Sequence, residues 1–134
     1  MITPTYEWFL LVVHLLGVSV WVGGQITLLV IMKSIRDNSK GLLPLVARRF
    51  ARASWSALGV TVATGVALVL RVNPTEQGTA YSITLALKLA LVFLAVAAVI
   101  IHSTSKQRLF IALGGAIGLV ASLGSLALGV LLSA

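Results

Sequence analysis

Two long apolar stretches dominate the chain. Trp8 to Met32 is broken only by His14, Gln25 and small residues, and Leu109 to Leu132 only by small residues. Between them lie two shorter apolar runs, Trp55 to Leu70 and Ser82 to Ile101. A bilayer-spanning helix needs roughly 20 mostly apolar residues. The second run reaches that length if Arg52 and its neighbours form its polar end, and the third contains Lys88. The pattern predicts four transmembrane helices, at about 8–32, 50–71, 82–102 and 109–132. They form one domain over residues 1–134, an all-α integral membrane four-helix bundle of up-down topology. The connections agree with this count. Asp37-Asn38-Ser39 and Gly41, then Asn73-Pro74 and Gly78, are turn punctuation. Pro44 is acceptable in a first helical turn, so the second helix can begin in the interfacial stretch Leu43 to Phe50. The short polar link Ser103 to Arg108 suits a tight turn between antiparallel helices.

Composition sharpens this. The 134 residues are 59% hydrophobic and only 10% charged, with a mean hydropathy of +1.09. An ordinary soluble domain is about 45–50% apolar and about 25% charged, so a small soluble enzyme is excluded. Cysteine is absent, which removes disulfides, thiolate metal sites and thiol nucleophiles. Residues Met1 to Glu7 carry no basic segment, and the apolar run after them is long. The first span is therefore expected to persist as an anchor rather than to be cleaved.

The net charge of +7 raises the possibility of a nucleic-acid partner, and its placement removes it. Lys33, Arg36, Lys40, Arg48, Arg49 and Arg52 cluster around the first connection, and Lys106 and Arg108 flank the third. Those eight cations with Asp37 carry the whole +7; Arg71, Glu7 and Glu76 lie at the opposite ends of the spans. Lys and Arg mark cytoplasmic loops, so both termini are expected outside the cell membrane. No aromatic stacking platform interleaves the basic residues. Their natural partner is a bilayer with anionic headgroups, at about 1 kcal/mol for each cation near the surface.

Ionisable groups at membrane depth are costly and usually functional. His14 lies about 12 Å past Tyr6 along the first helix, and Lys88 about 10 Å past Tyr81 along the third, so the two are nearly level. His102 is about 21 Å beyond Lys88, at the cytoplasmic boundary. One metal ion therefore cannot be shared by His14 and His102, and each is a candidate metal ligand on its own. His14, Val18, Trp21 and Gln25 share one helical face, and Thr84, Lys88, Ala95 and His102 share another. Ser54, Thr61 and Gly65 give the second helix a compatible inward face. Lys88 has two readings, a buried functional cation or one that snorkels to the headgroups. Gly115, Gly118, Ser122, Ser125 and Gly129 form a small-residue stripe on the last helix. It suits packing inside the bundle, or alternatively a homo-oligomer or a partner membrane subunit. No paired carboxylates lie inside the spans, and the separated histidines build no Ser/His/Asp set, so intramembrane hydrolysis is not expected.

His14-Leu15-Leu16-Gly17 followed by Trp21-Val22-Gly23-Gly24 resembles the first-helix pattern of the copper-resistance D (CopD) membrane proteins. The similarity continues through Arg49-Phe50, Ala63-Thr64-Gly65, Thr79-Ala80-Tyr81 and Leu87-Lys88-Leu89. It implies a role in copper homeostasis or transport, with a copper ion held by His14. A weaker resemblance to HemJ implies haem b instead. In that pattern a first-helix His and a third-helix Lys are implicated at haem, and His14 and Lys88 stand there. Val22 departs from it, since an aromatic follows the Trp in HemJ-like chains. On that reading Trp21 lines the cofactor and Arg71 pairs a propionate. The expected orientation is open to a direct check. A reporter fused after Ala134 should be active in the outer compartment, and activity in the cytoplasm would reverse the assignment.

Overall fold

In hydrocarbon a backbone must satisfy its own hydrogen bonds, so apolar runs of this length have helix as their open-ended solution. The computed structural model describes residues 5–134 and is all-α, with four long helices and no strand among the described residues. These are α1 (Tyr6–Asn38), α2 (Leu43–Val72), α3 (Thr79–Thr104) and α4 (Arg108–Ser133). Each is long and apolar enough to cross a membrane.

The helices outrun the apolar stretches that predict them. α1 continues six residues past Met32, and α2 begins at Leu43, at the outer limit of the interfacial stretch expected to hold its start. Hydrophobicity marks where lipid would end, whereas a helix ends where its backbone is interrupted. Lys33 to Asn38 contains no Gly or Pro, so the helix runs on through it. At the other end Thr5 caps α1, its Oγ1 accepting from the Trp8 amide at 3.2 Å, with Glu7 in the first turn. A single 3₁₀ turn, Lys40–Leu42, joins α1 to α2. Between α2 and α3, Asn73 takes a left-handed conformation (φ 50°) and Gly78 another positive φ of 93°. The Asn73 side chain donates to Glu76 Oε1 and fastens this turn.

Two compact units result, divided between Val72 and Asn73. Each is an antiparallel helical hairpin. In the α1–α2 hairpin, glycines on α1 admit bulk from α2: Gly17 faces the Thr61 side chain, and Gly24 lies under the Phe50 ring. With His14 and Trp21 these positions recur every three or four residues, the spacing of one helical face. In the α3–α4 hairpin the small residues sit on α4. A Cβ at Gly118 would lie 3.0 Å from Val99, one at Gly124 3.0 Å from Leu91, and one at Gly129 3.0 Å from Lys88 Nζ. Ser122 and Ser125 are buried. Gly115, Gly118 and Gly129 of the stripe thus pack inside this hairpin against α3, as close backbone approach in lipid requires.

The tightest approach is at Gly114, where a Cβ would stand 2.6 Å from the Ala98 carbonyl oxygen and 2.8 Å from the His102 amide nitrogen. Both neighbours are backbone and have no rotamer to yield. Gly114→Ala should therefore cost about 1–3 kcal/mol despite the better helix propensity of Ala. Thermal unfolding in detergent, with Gly23→Ala in open space as the control, checks this.

Candidate functional site

His14 is the best-defined polar group within a span. Its Nδ1 lies 2.9 Å from the carbonyl oxygen of Thr61 on α2 and 3.1 Å from Thr64 Oγ1. A carbonyl can only accept, so Nδ1 carries the proton and donates. The Thr64 hydroxyl spends its own proton on the Val60 carbonyl at 2.7 Å and offers a lone pair to the shared Nδ1–H. In the neutral ring the lone pair then resides on Nε2. The ring edge rests on Gly65, where a Cβ would come within 3.1 Å of Cε1. The expected inward face of α2, Ser54, Thr61 and Gly65, is the face turned to α1: Ser54 is buried, Thr61 meets Gly17, and Gly65 meets His14.

Hydroxyls within the spans show how α2 differs locally. Ser19, Thr27, Thr84 and Ser122 each return their proton to the carbonyl four residues back, at 2.7–2.9 Å. That habit removes a donor from lipid at little cost. Ser54 Oγ and Thr61 Oγ1 are buried and make no such bond. Both belong to the helix face that receives His14.

Trp21 is buried, only 6% exposed, and meets Trp55 of α2 edge to face, with ring centroids 5.9 Å apart at 64°. The Gln25 amide donates to the Trp21 carbonyl at 3.2 Å. Arg71 lies at the open end of the same hairpin, its guanidinium 5.0 Å above the Tyr6 ring. Trp21 and Arg71 thus join His14 in one hairpin.

Lys88 and His102 belong to the other hairpin, at opposite ends of its seam. Lys88 is half-buried, with its ammonium over Gly129. His102 is exposed, two residues from the end of α3, and its Nδ1 donates to the Ile111 carbonyl of α4 at 2.6 Å. Among the described residues no three His, Cys, Asp or Glu side chains come together in a metal-binding group. Met1 lies outside the described residues, and Met32 is 18 residues from His14 on α1, about 27 Å along the axis.

Sequence reasoning identifies His14 and its face but misses Thr64 as a partner of its ring and Trp55 as the partner of Trp21. Thr64 sits three residues after Thr61, a helical spacing that flags it in retrospect. Nothing in the letters marks Ile111, because its contribution is a backbone carbonyl. Comparison of the chain with family models, characterised proteins and solved structures yields no match.

The ring contact at Gly65 has a measurable cost. Gly59→Ala, on the same helix with nothing within 4 Å, should stabilise by about 1 kcal/mol through helix propensity. Gly65→Ala should forfeit that gain because its methyl meets the imidazole. Paired melting curves of the two variants check the difference.

Proposed function

We propose that the chain is a CopD-like multi-pass membrane protein of copper homeostasis or transport, with His14 as its intramembrane ligand. One observation carries the reading: the Nδ1–H bond from His14 to the Thr61 carbonyl. Metal-ligating histidines characteristically donate their other ring N–H to a carbonyl or carboxylate, which sets the tautomer and the ring orientation. Here Thr61 and Thr64 hold the proton on Nδ1, and the contact with Gly65 sets the ring on the α2 surface. Imidazole is among the ligands that suit copper. With no cysteine in the chain, the ion's remaining coordination comes from donors it brings with it. Trp21 and Trp55 close the hairpin seam on one side of His14 with two large apolar rings. In the membrane both termini lie outside and the basic connections are cytoplasmic, against anionic headgroups.

A second reading is favoured by Arg71. It lies six residues beyond Gly65 on α2, about 9 Å along the axis, in the same hairpin as His14. A b-type haem would need an iron-binding nitrogen, which His14 Nε2 would supply without a three-ligand cluster, and a cation for its propionates, which Arg71 would supply. Such a haem would contribute one-electron transfer or a porphyrin-handling function. The structural-subunit reading is not proposed, because Gly115, Gly118 and Gly129 of the α4 stripe already face α3.

The two readings separate cleanly. In a strain lacking the protein, re-expression should restore copper tolerance and cellular copper, and His14→Ala should restore neither. Wild-type behaviour of His14→Ala rejects the copper reading. A Soret band in protein purified after growth with ample haem, lost in His14→Ala, would establish the haem reading, and its absence from the wild type rejects it.

A further inference from the structure

The two histidines of this chain are set by one device, used once in each hairpin. In the first, His14 of the leading helix donates Nδ1–H to the Thr61 carbonyl of the following helix, and its ring lies on Gly65. In the second, His102 of the leading helix donates Nδ1–H to the Ile111 carbonyl of the following helix, and its ring lies on Gly115. Acceptor and glycine are four residues apart both times. A helical carbonyl accepts from the amide four residues on, so each of these carbonyls serves a glycine amide and an imidazole together. It has two lone pairs and can do both. The glycine is what admits the ring to the second lone pair: a Cβ would stand 3.1 Å from His14 Cε1 in one hairpin and 3.1 Å from His102 Nδ1 in the other.

We propose that His102 is a second metal-ligating position of the chain, taking the same class of ion as His14. The inference rests on the ligand chemistry proposed for His14 but not on its biological role. Fixing the proton on Nδ1 leaves the lone pair of the neutral His102 ring on Nε2, the state in which imidazole ligates. His102 is exposed, whereas His14 is half-buried, so an ion reaches His102 from outside the hairpin. Its position, two residues from the end of α3, places the ring beside the connection to α4. Lys106 and Arg108 lie within six residues and disfavour a bare dication. Imidazole suits copper, and of its two common ions the monovalent one, Cu(I), meets less repulsion from these cations. With one imidazole supplied by the chain, the other coordination position is left to a donor on whatever delivers or receives the ion. That arrangement suits transfer rather than storage.

The test uses full-length protein labelled with ¹⁵N-histidine in detergent micelles, titrated anaerobically with Cu(I). Two-bond nitrogen–proton correlation spectra should show both rings protonated at Nδ1, and Cu(I) should move the Nε2 resonance of His102. The shift at His102 should persist in His14→Gln and its signal should vanish in His102→Gln, with bound copper falling in each variant. Gly115→Ala should weaken Cu(I) binding at His102 about tenfold or more, the loss typical of removing a ligand's orienting bond, and leave His14 unchanged. A His102 Nε2 that stays put at Cu(I) concentrations that move His14 overturns the proposal. So does a His102 ring protonated on Nε2. Neither result touches the copper reading of His14, which fails on its own test of tolerance and cellular copper.

Discussion

Away from their ends, the backbone amides of these four helices must find their partners inside the helix, because hydrocarbon offers none. That constraint governs how the chain uses its few polar side chains. With the amides committed, spare hydrogen-bonding capacity within the spans lies mainly in the second lone pair of each carbonyl. The hydroxyls of Ser19, Thr27, Thr84 and Ser122 turn back to such carbonyls on their own helix. The imidazoles reach across to carbonyls on the neighbouring helix, which ties two helices together and selects a tautomer in one bond. One contact thus joins two helices and fixes the ring at once.

Packing follows from the same economy. Lipid tails are as apolar as leucine, so close backbone approach has to drive helix pairing. The hairpins achieve it with glycines placed on opposite partners: on the leading helix at Gly17 and Gly24, and on the following helix at Gly114, Gly118 and Gly124. Gly65, Gly115 and Gly129 do something different. They make room for His14, His102 and Lys88, the three ionisable residues that the sequence places within or at the edge of a span.

The helices, the small-residue stripe and the face carrying His14 were legible in the sequence, because each leaves a periodic trace. Four apolar runs predict four helices, and spacings of three and four place Gly115, Gly118 and Gly129 on one side. The start of α2 was legible too, since Pro44 allows a first helical turn there, but the far end of α1 was not. Polar residues such as Lys33 and Arg36 remain good helix formers beyond the point where apolar character stops. Ile111 illustrates a deeper limit: any residue at that position brings the same carbonyl. The visible sign is indirect, a glycine four residues later opposite a histidine. The Trp21–Trp55 pair was hidden for another reason, since a tryptophan near a span end reads as an interfacial anchor until its partner is known.

The unequal helix lengths have a mechanical meaning. α1 has 33 residues and α3 has 26, a difference of two turns, or about 10 Å. At about 50 Å, α1 exceeds the roughly 40–45 Å of a bilayer with its headgroups. It is one continuous helix from Tyr6 to Asn38, so its surplus is a stiff stalk rather than a loose loop. Lys33 and Arg36 ride on that stalk, and His14 is fixed to the same rod 22 residues from Arg36. The basic end and the imidazole are thus joined by unbroken helix, about 33 Å apart along its axis.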